Sequence, residues 1–232
     1  MKILVIVPAF NEKMTIPEVI LRIRTFYPQA DILVVSDGST DGTGRVAREA
    51  GVLVLEHPYN MGIGATVQTG FLYALRNRYD VAIQIDGDGQ HNPQFLPSVV
   101  EPILQGRSDL VIGSRYLSEG GFKSTPLRKL GIQFFTSLVW IFTGRRITDP
   151  TSGFRAVDRK GIGLFAEDYP SDYPEVEALI LAHTKGLLFE EVPVQMRQRQ
   201  GGISSIGFLS AVYYMVKVTL SISIGFLRGA KG

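Results

Sequence analysis

Three oxygen-bearing side chains occupy alternate positions in the 232-residue chain, at Asp86, Asp88 and Gln90. Alternate side chains of an extended segment project to the same side, so we expect these three to face one ligand. Two carboxylates and an amide oxygen are hard ligands that suit Mg²⁺ or Mn²⁺. Because these three side chains do not complete the coordination shell of the metal, they leave room for substrate phosphate oxygens. An isolated Asp-x-Asp pair is more often a solvated acidic turn. The apolar run 81–85 directly before it is typical of a buried strand and favours the metal site.

Two further polar turns follow predicted strands, at residues 8–12 (Pro-Ala-Phe-Asn-Glu) and 36–42 (Ser-Asp-Gly-Ser-Thr-Asp-Gly). An aromatic face at such a position can pack on a nucleotide base, and a carboxylate can accept a hydrogen bond from a base N–H or a ribose hydroxyl. Asn and Asp-Gly also suit ordinary turns, so that alternative stays open.

A glycine-rich segment, Asn60-Met-Gly-Ile-Gly-Ala65, opens a predicted helix. Such a segment allows a nucleotide to approach the backbone closely. It is not a dinucleotide-binding fingerprint, because Val67 occupies the third glycine position of that motif. The chain also contains no phosphate-binding loop ending in Gly-Lys-Ser or Gly-Lys-Thr, which argues against an ATPase or a GTPase.

Alternating strands and helices position these turns. Hydrophobic periodicity predicts strands at 3–7, 32–35, 52–55, 81–85 and 110–112, with helices at 15–26, 46–51, 62–78 and 95–104 between them. This alternation is typical of an α/β fold with a mostly parallel sheet, in which ligands bind beyond the carboxyl ends of the strands. The three polar turns lie at those ends, so we expect them to share one crevice. Thr15 and Glu18 have the spacing of a capping box at the start of the first helix.

The alternation is lost after residue 115. The pattern there predicts an apolar helix at 132–142, a turn-rich segment at 148–155, a helix at 175–183 and a final strand at 191–196. The stretch 206–227 is almost wholly apolar apart from a thin polar stripe at helical spacing, which is formed by Ser210, Tyr214, Lys217 and Ser221 and continues to Arg228. We expect this helix to lie in a membrane interface. Packing on the protein's own core or on a second copy of the chain, and a membrane span, are the alternatives.

The composition excludes several classes of protein. Hydrophobic residues at 45% and charged residues at 20% are typical of a globular chain. The chain has no cysteine, which excludes disulfides, thiolate metal sites and thiol nucleophiles and favours a reducing compartment. The apolar run before Pro8 is too short for a secretory signal, so we expect the N-terminus to stay in the cytoplasm.

The net charge of +2 is an average over segments of opposite sign. Residues 120–148 and 192–232 together contain ten of the 24 basic side chains and no acidic one. The rest of the chain therefore has 14 basic and 22 acidic residues, a net charge of −8. The two basic segments suit a phosphate or an anionic lipid surface, and no nucleic-acid partner is expected.

These motifs and their order resemble the family 2 glycosyltransferases, which have the GT-A fold. Within that family the chain is similar to the branch that loads a sugar onto a polyprenyl (dolichyl-type) phosphate. The resemblance covers nearly the whole chain and rests on residues 8–12, 35–42, 60–64, 86–90, 113–115, 149–155 and 191–194. It implies an α/β GT-A domain over 1–200, with a mostly parallel central sheet and flanking helices, followed by a C-terminal helix over 201–232.

The resemblance also implies roles for single residues. Asp86, Asp88 and Gln90 hold the metal, and the nucleotide-binding residues are Pro8, Phe10, Glu12, Asp37, Asn60, Gly62 and Asp86. Ser36 stands where the family usually has Asp, and Phe10 stands where Tyr is commoner. The base, uridine or guanosine, and the sugar therefore stay open.

The acceptor determines which further groups are needed. Relatives that use a hydroxyl acceptor carry a Glu-Asp pair as general base, and no such pair is expected after residue 149. A lipid phosphate is already ionised at neutral pH, so it needs cations instead, with Arg favoured for bidentate contact. The candidates are Arg115, Arg128, Lys129, Arg155, Arg197 and Arg199, and for each a surface charge or a structural ion pair is the alternative. Glu175 and Glu177 occur in a segment that the branch also shows, and His91 and His183 are given no role.

The predicted function is metal-dependent, inverting transfer of a hexose from a nucleotide-diphosphate sugar to polyprenyl phosphate at the cytoplasmic face of the membrane. In this prediction Asp88, Arg115, Arg128, Arg155 and Arg199 are the catalytic residues. The alternatives are the same fold with a soluble or polysaccharide hydroxyl acceptor, and a non-catalytic protein that binds nucleotide sugars.

Overall fold

A computed structural model describes residues 1–117, 126–171 and 174–197, together with positions 217, 219 and 220. Of residues 126–128 only the backbone is described. Lys217, Thr219 and Leu220 are helical, and the rest of the predicted C-terminal helix, with its expected membrane contact, lies outside the described residues.

Seven strands and seven α-helices make up this part of the chain. The strands are β1 (Ile3–Ala9), β2 (Asp31–Asp37), β3 (Leu53–His57), β4 (Val81–Gln84), β5 (Leu110–Ser114), β6 (Arg155–Asp158) and β7 (Phe189–Pro193). The helices are α1 (Ile16–Phe26), α2 (Thr43–Glu49), α3 (Ile63–Arg76), α4 (Leu96–Leu104), α5 (Pro126–Thr143), α6 (Arg159–Glu167) and α7 (Pro174–Thr184).

The strands form a single mixed sheet in the order β3-β2-β1-β4-β6-β5-β7. Four of its six pairings are parallel, which confirms the predicted mostly parallel sheet. The exception is β6, which lies antiparallel between β4 and β5. The sequence did not predict this strand, because it has four residues and follows a turn-rich segment. The final strand begins at Phe189 and ends at Pro193, earlier than the predicted 191–196.

Both faces of the sheet are buried. Along β1, Leu4 and Ile6 face a cluster that includes α3, α5, α6 and α7, whereas Val5 and Val7 face a second cluster that includes α1 and α4. Alternate residues of a strand point to opposite faces, so burial of both faces explains why this strand is apolar throughout.

The predicted capping box at the start of α1 is wrong. Thr15 makes no capping bond to the helix and has αR backbone angles. Its Oγ1 instead lies 2.7 Å from the Gly87 carbonyl and 2.9 Å from the carboxylate of Glu12. The hydroxyl therefore bonds to residues of the crevice and does not cap the helix.

Candidate functional site

The three polar turns lie side by side at the carboxyl ends of β1, β2 and β4, as predicted. Asn11 N donates to Ser39 Oγ at 3.1 Å, which joins the first turn to the second. Gly87 N donates to the Pro8 carbonyl at 3.1 Å, which joins the first turn to the third. The candidate site is therefore one continuous surface built from distant parts of the chain.

The candidate metal ligands lie on a compact turn just after β4. Gln90 N donates to Asp88 Oδ1 at 2.9 Å, and Asp86 N donates to His91 Nδ1 at 2.9 Å. Gly89 has a positive φ of 76°, which suits glycine. These bonds bring Asp86, Asp88 and Gln90 together within one short turn.

These residues fit a divalent cation that is shared with a substrate. Burial raises the pKa of the Asp86 carboxyl to about 6, although nearby Gln84 and Arg115 lower it. Yet 37% of its side chain stays exposed. The carboxylate is therefore partly desolvated but still accessible to a cation. Within the described residues, no three or more His, Cys, Asp or Glu side chains are grouped to hold a metal on their own. Phosphate oxygens and water would complete the shell, as the hard-ligand pattern predicts.

Two neighbours of Asp86, His91 and Gly153, were given no role from the sequence. His91 is 2% exposed, its ring stacks on Phe154 at 5.2 Å, and burial lowers its pKa to about 4, so it is neutral. Gly153 lies so close that an added Cβ would stand 3.3 Å from Asp86 Oδ1. The only sequence signal for His91 was its place directly after Gln90.

Asp37, predicted to hold the nucleotide, is buried and holds the glycine-rich turn. Its carboxylate accepts from Met61 N at 2.8 Å and from Gly62 N at 2.9 Å. His57 Nδ1 lies 2.8 Å from the same carboxylate, and its Nε2 lies 2.9 Å from Thr69 Oγ1. Asp37 therefore shapes the glycine-rich turn that was predicted to receive the nucleotide.

The other predicted nucleotide residues line the same end of the sheet. Phe10 is 48% exposed at the end of β1, so its ring is open to a base. Pro8 is buried within β1, and Glu12 is partly buried. Asn60 Oδ1 accepts from Gly62 N at 3.1 Å and steadies the glycine-rich turn.

Arg115, predicted to contact the acceptor phosphate, forms a buried ion pair. Its Nε and Nη2 each lie 2.6 Å from one carboxylate oxygen of Asp149, and Nη2 also contacts Thr151 Oγ1 at 2.9 Å. Asp149 is fully buried. Its backbone N and that of Thr148 donate to the Glu191 carboxylate at 2.8 and 2.7 Å. These are the contacts of a structural ion pair, and a direct phosphate contact stays a prediction.

The other candidate cations are placed differently. Arg155 is buried and donates to the carbonyls of Ser152 and Pro150 at 2.7 and 2.9 Å. Arg197 pairs with Glu18 at 2.6 Å. The side chain of Arg128 and the whole of Arg199 lie outside the described residues.

A groove of about 690 Å³ lies beside α5, next to the Arg115–Asp149 pair. Its lining combines cations with apolar and aromatic groups: Tyr116, Lys129, Ile132, Trp140, Arg146 and Thr148. The outer side of α5 continues this character, because Leu130 and Ile141 are also exposed. Among the helices of the described residues, none has the length and apolar character needed to cross a membrane.

The expectation that no Glu-Asp pair follows residue 149 is wrong, because one occurs at Glu167-Asp168. Both side chains are exposed at the end of α6, and Asp168 N donates to the Leu164 carbonyl at 2.9 Å. Glu175 is the second residue of α7, and burial raises the pKa of its carboxyl, although the charge of Arg155 lowers it.

Both the sequence and the fold match known proteins. The family model described as Glycosyl transferase family 2 matches residues 4–163. A polyprenol monophosphomannose synthase of Mycolicibacterium smegmatis is 34% identical over 239 residues, covering 99% of this chain and 90% of the relative. An undecaprenyl-phosphate mannosyltransferase of Micrococcus luteus is 34% identical over 215 residues, covering 89% and 88%. A crystal structure of glucosyl-3-phosphoglycerate synthase of Mycobacterium tuberculosis, in complex with Mn²⁺ and uridine diphosphate, has a TM-score of 0.73 at 22% identity, covering 97% of this chain and 79% of that one.

Proposed function

Because the chain belongs to glycosyl transferase family 2, in the branch of polyprenyl-phosphate sugar transferases, we propose that it moves a hexose from a nucleotide-diphosphate sugar to polyprenyl phosphate. The reaction is metal-dependent and takes place at the cytoplasmic face of the membrane. The expected GT-A fold and glycosyltransferase activity are confirmed by the family and fold matches.

The groove beside α5 is the observation that supports a lipid phosphate as acceptor. Lys129 and Arg146 supply positive charge, and Trp140 and Ile132 supply apolar surface in the same cavity. A polyprenyl phosphate has this combination of an anionic head and an apolar chain. A small sugar acceptor has a hydroxyl instead and gains little from either feature.

The donor half of the site lies on the turns after β1, β2 and β4. Phe10 offers an exposed ring to the base, and Asp37 presents the backbone of the glycine-rich turn. Asp86, Asp88 and Gln90 would hold the divalent ion. When bound, that ion neutralises the charge that develops on the departing diphosphate.

The acceptor reacts without a general base. A phosphate monoester is already an anion at neutral pH, so an acceptor oxygen attacks the anomeric carbon directly. The new bond joins that oxygen to the sugar, the bond from the sugar to the donor diphosphate breaks, and the nucleoside diphosphate leaves. Attack from the opposite face inverts the anomeric centre. Lys129 and Arg146 hold the acceptor phosphate in this step.

The proposal is tested by glycolipid formation. Purified protein is given polyprenyl phosphate, Mn²⁺ and radiolabelled uridine- or guanosine-diphosphate sugars, and the lipid extract is counted. We expect one donor to give a glycolipid, EDTA to abolish it, and Asp88→Asn to reduce the rate at least about 100-fold, because the metal stabilises the leaving group by several kcal/mol. Asp80→Asn, at the opposite end of β4, is the matched control and retains the rate.

Asp168→Asn separates the two kinds of acceptor. A lipid phosphate needs no base, so we expect this variant to retain glycolipid synthesis. Transfer to a short soluble sugar, with none to polyprenyl phosphate and with loss in Asp168→Asn, would establish the hydroxyl-acceptor alternative. If the protein catalyses neither transfer nor hydrolysis of the donor, the alternative of a non-catalytic binding protein is established.

A further inference from the structure

We propose that His91 is a positioning residue that sets the place of Asp86 for metal binding. The inference rests on the proposed function, because it gives His91 a task at the proposed metal turn. Its basis is the set of contacts that His91 makes with Asp86 and with two elements that lie far away in the chain.

The first contact closes the metal turn. Asp86 N donates to His91 Nδ1 at 2.9 Å. A ring nitrogen that accepts a hydrogen bond carries no proton, so the proton of the neutral ring is on Nε2. The imidazole here replaces the backbone acceptor that an ordinary turn would supply, and it holds the main chain of Asp86 in place.

The second contact leaves the carboxylate available. His91 Nε2 lies 3.6 Å from Asp86 Oδ2, which is longer than a hydrogen bond. The N–H group is thus near the carboxylate oxygen without occupying it. The ring fixes the position of Asp86 while its oxygens stay open to a cation.

The ring and the backbone of His91 are held by segments from the other half of the sheet. It stacks on Phe154, just before β6, with an angle of 30° between the planes. His91 pairs with Met196, after β7, in an antiparallel bridge, and Arg197 N donates to the Gln90 carbonyl at 2.8 Å. The stacking contact orients the ring, and the bridge and the Arg197 bond fix the backbone beside it, as a positioning role requires.

Three substitutions separate the contacts of His91. His91→Phe keeps an aromatic ring against Phe154 but cannot accept from Asp86 N. His91→Asn places an amide oxygen near the position of Nδ1 and restores that acceptor. His91→Gln reaches toward the position of Nε2 instead. His183→Phe, at a partly buried histidine on α7, is the matched control.

The measurement is Mn²⁺ binding, followed by the electron paramagnetic resonance of free Mn²⁺ in the presence of UDP or GDP. We expect His91→Phe to weaken Mn²⁺ binding by about 10-fold to 100-fold, as is typical when a group supporting a metal ligand is lost. His91→Asn recovers most of this loss, His91→Gln recovers less, and His183→Phe binds as the wild type does. In the metal-free protein, amide hydrogen exchange at Asp86 is faster in His91→Phe than in His91→Asn.

Each outcome decides the inference. Mn²⁺ binding by His91→Phe within about 2-fold of the wild type would overturn it, since known losses of this kind are larger. If His91→Phe does not fold, the order of the other two variants decides, and binding by His91→Gln as tight as by His91→Asn would overturn it. A wild type that binds no Mn²⁺ with either nucleotide refutes the metal part of the proposed function, and the role of His91 falls with it. Wild-type binding that is lost in Asp88→Asn but unchanged in His91→Phe refutes the role of His91 alone.

Discussion

Arg115 and Asp149 form an ion pair that is almost wholly removed from solvent. Arg115 is 6% exposed, and Asp149 is fully buried. Removing one partner of a buried pair leaves an uncompensated charge, which is far costlier than losing an exposed pair. The pair therefore fixes the segment 148–151 beside the crevice, whatever further contact Arg115 makes with a substrate.

We predict that Asp149→Asn lowers the free energy of unfolding by about 3 to 5 kcal/mol, measured by urea denaturation. Glu49→Gln is the control, because it removes the exposed Arg45–Glu49 pair on α2, and such pairs contribute about 0 to 1 kcal/mol. An equal, small loss in both variants would show that the guanidinium of Arg115 is stabilised by other groups.

At the level of single residues, the sequence predicted which turns form the site but not how their side chains are used. Asp86, Asp88 and Gln90 lie on one turn because their spacing is local. The roles of His91 and His57 could not be predicted, because they depend on Phe154 and Asp37, which are distant in the chain. Asp37 was predicted to touch the nucleotide, whereas the described contacts engage its carboxylate with the glycine-rich turn.

Helix α5 joins the groove to the exposed apolar surface, so Lys129 on this helix and Arg146 just after it are the residues that test the acceptor. We predict that Lys129→Ala and Arg146→Ala each raise the KM for polyprenyl phosphate by about 5-fold to 30-fold, as expected for a lost charged contact of about 1 to 2 kcal/mol. The KM for the donor stays unchanged. The measurement is glycolipid synthesis at varied concentrations of each substrate.

The controls for α5 are Lys185→Ala, at an exposed lysine after α7, and Arg76→Ala, at the end of α3. Neither residue lines the groove, so both variants keep the wild-type KM for the lipid. If Lys129→Ala and Arg146→Ala change the KM for the donor instead, the groove belongs to the nucleotide half of the site.

The regular elements were more predictable than their connections. β1 to β5 and the helices between them follow from apolar periodicity, which is a local property. β6 was missed because only Ala156 and Val157 are apolar within it. Its position between β4 and β5 depends on pairing with strands that are distant in the chain, which apolar periodicity does not predict. The hydroxyl of Thr15 likewise donates to the carbonyl of Gly87, which is distant in the chain, and makes no local capping bond.

For the whole molecule, the separation of charge supports the proposed contact with a membrane surface. Ten basic residues lie in two segments without acids, and the rest of the chain carries −8. In the described part of the first segment, Lys129, Arg145 and Arg146 are exposed near Trp140 and Ile141. Apolar and basic groups side by side suit the surface of an anionic bilayer.

We predict that the protein sediments with vesicles containing phosphatidylglycerol but not with vesicles of phosphatidylcholine alone. Added salt weakens this binding, because it screens exposed charges. Ile141→Ser reduces the bound fraction, and Leu104→Ser, at an exposed leucine on the opposite face of the sheet, leaves it unchanged. Equal binding to both kinds of vesicle would contradict the electrostatic contribution.

The antiparallel strand β6 also has a consequence for how the protein folds as it is synthesised. The strands β1 to β4 can pair among themselves as soon as residue 84 has emerged, but β5 has no partner until β6 follows it. Until residues 155–158 are made, the outer edge of β4 is an unpaired row of backbone groups. A chain stopped between residues 84 and 155 would expose that edge to other chains, so a nascent intermediate of this length is where aggregation or chaperone binding should concentrate.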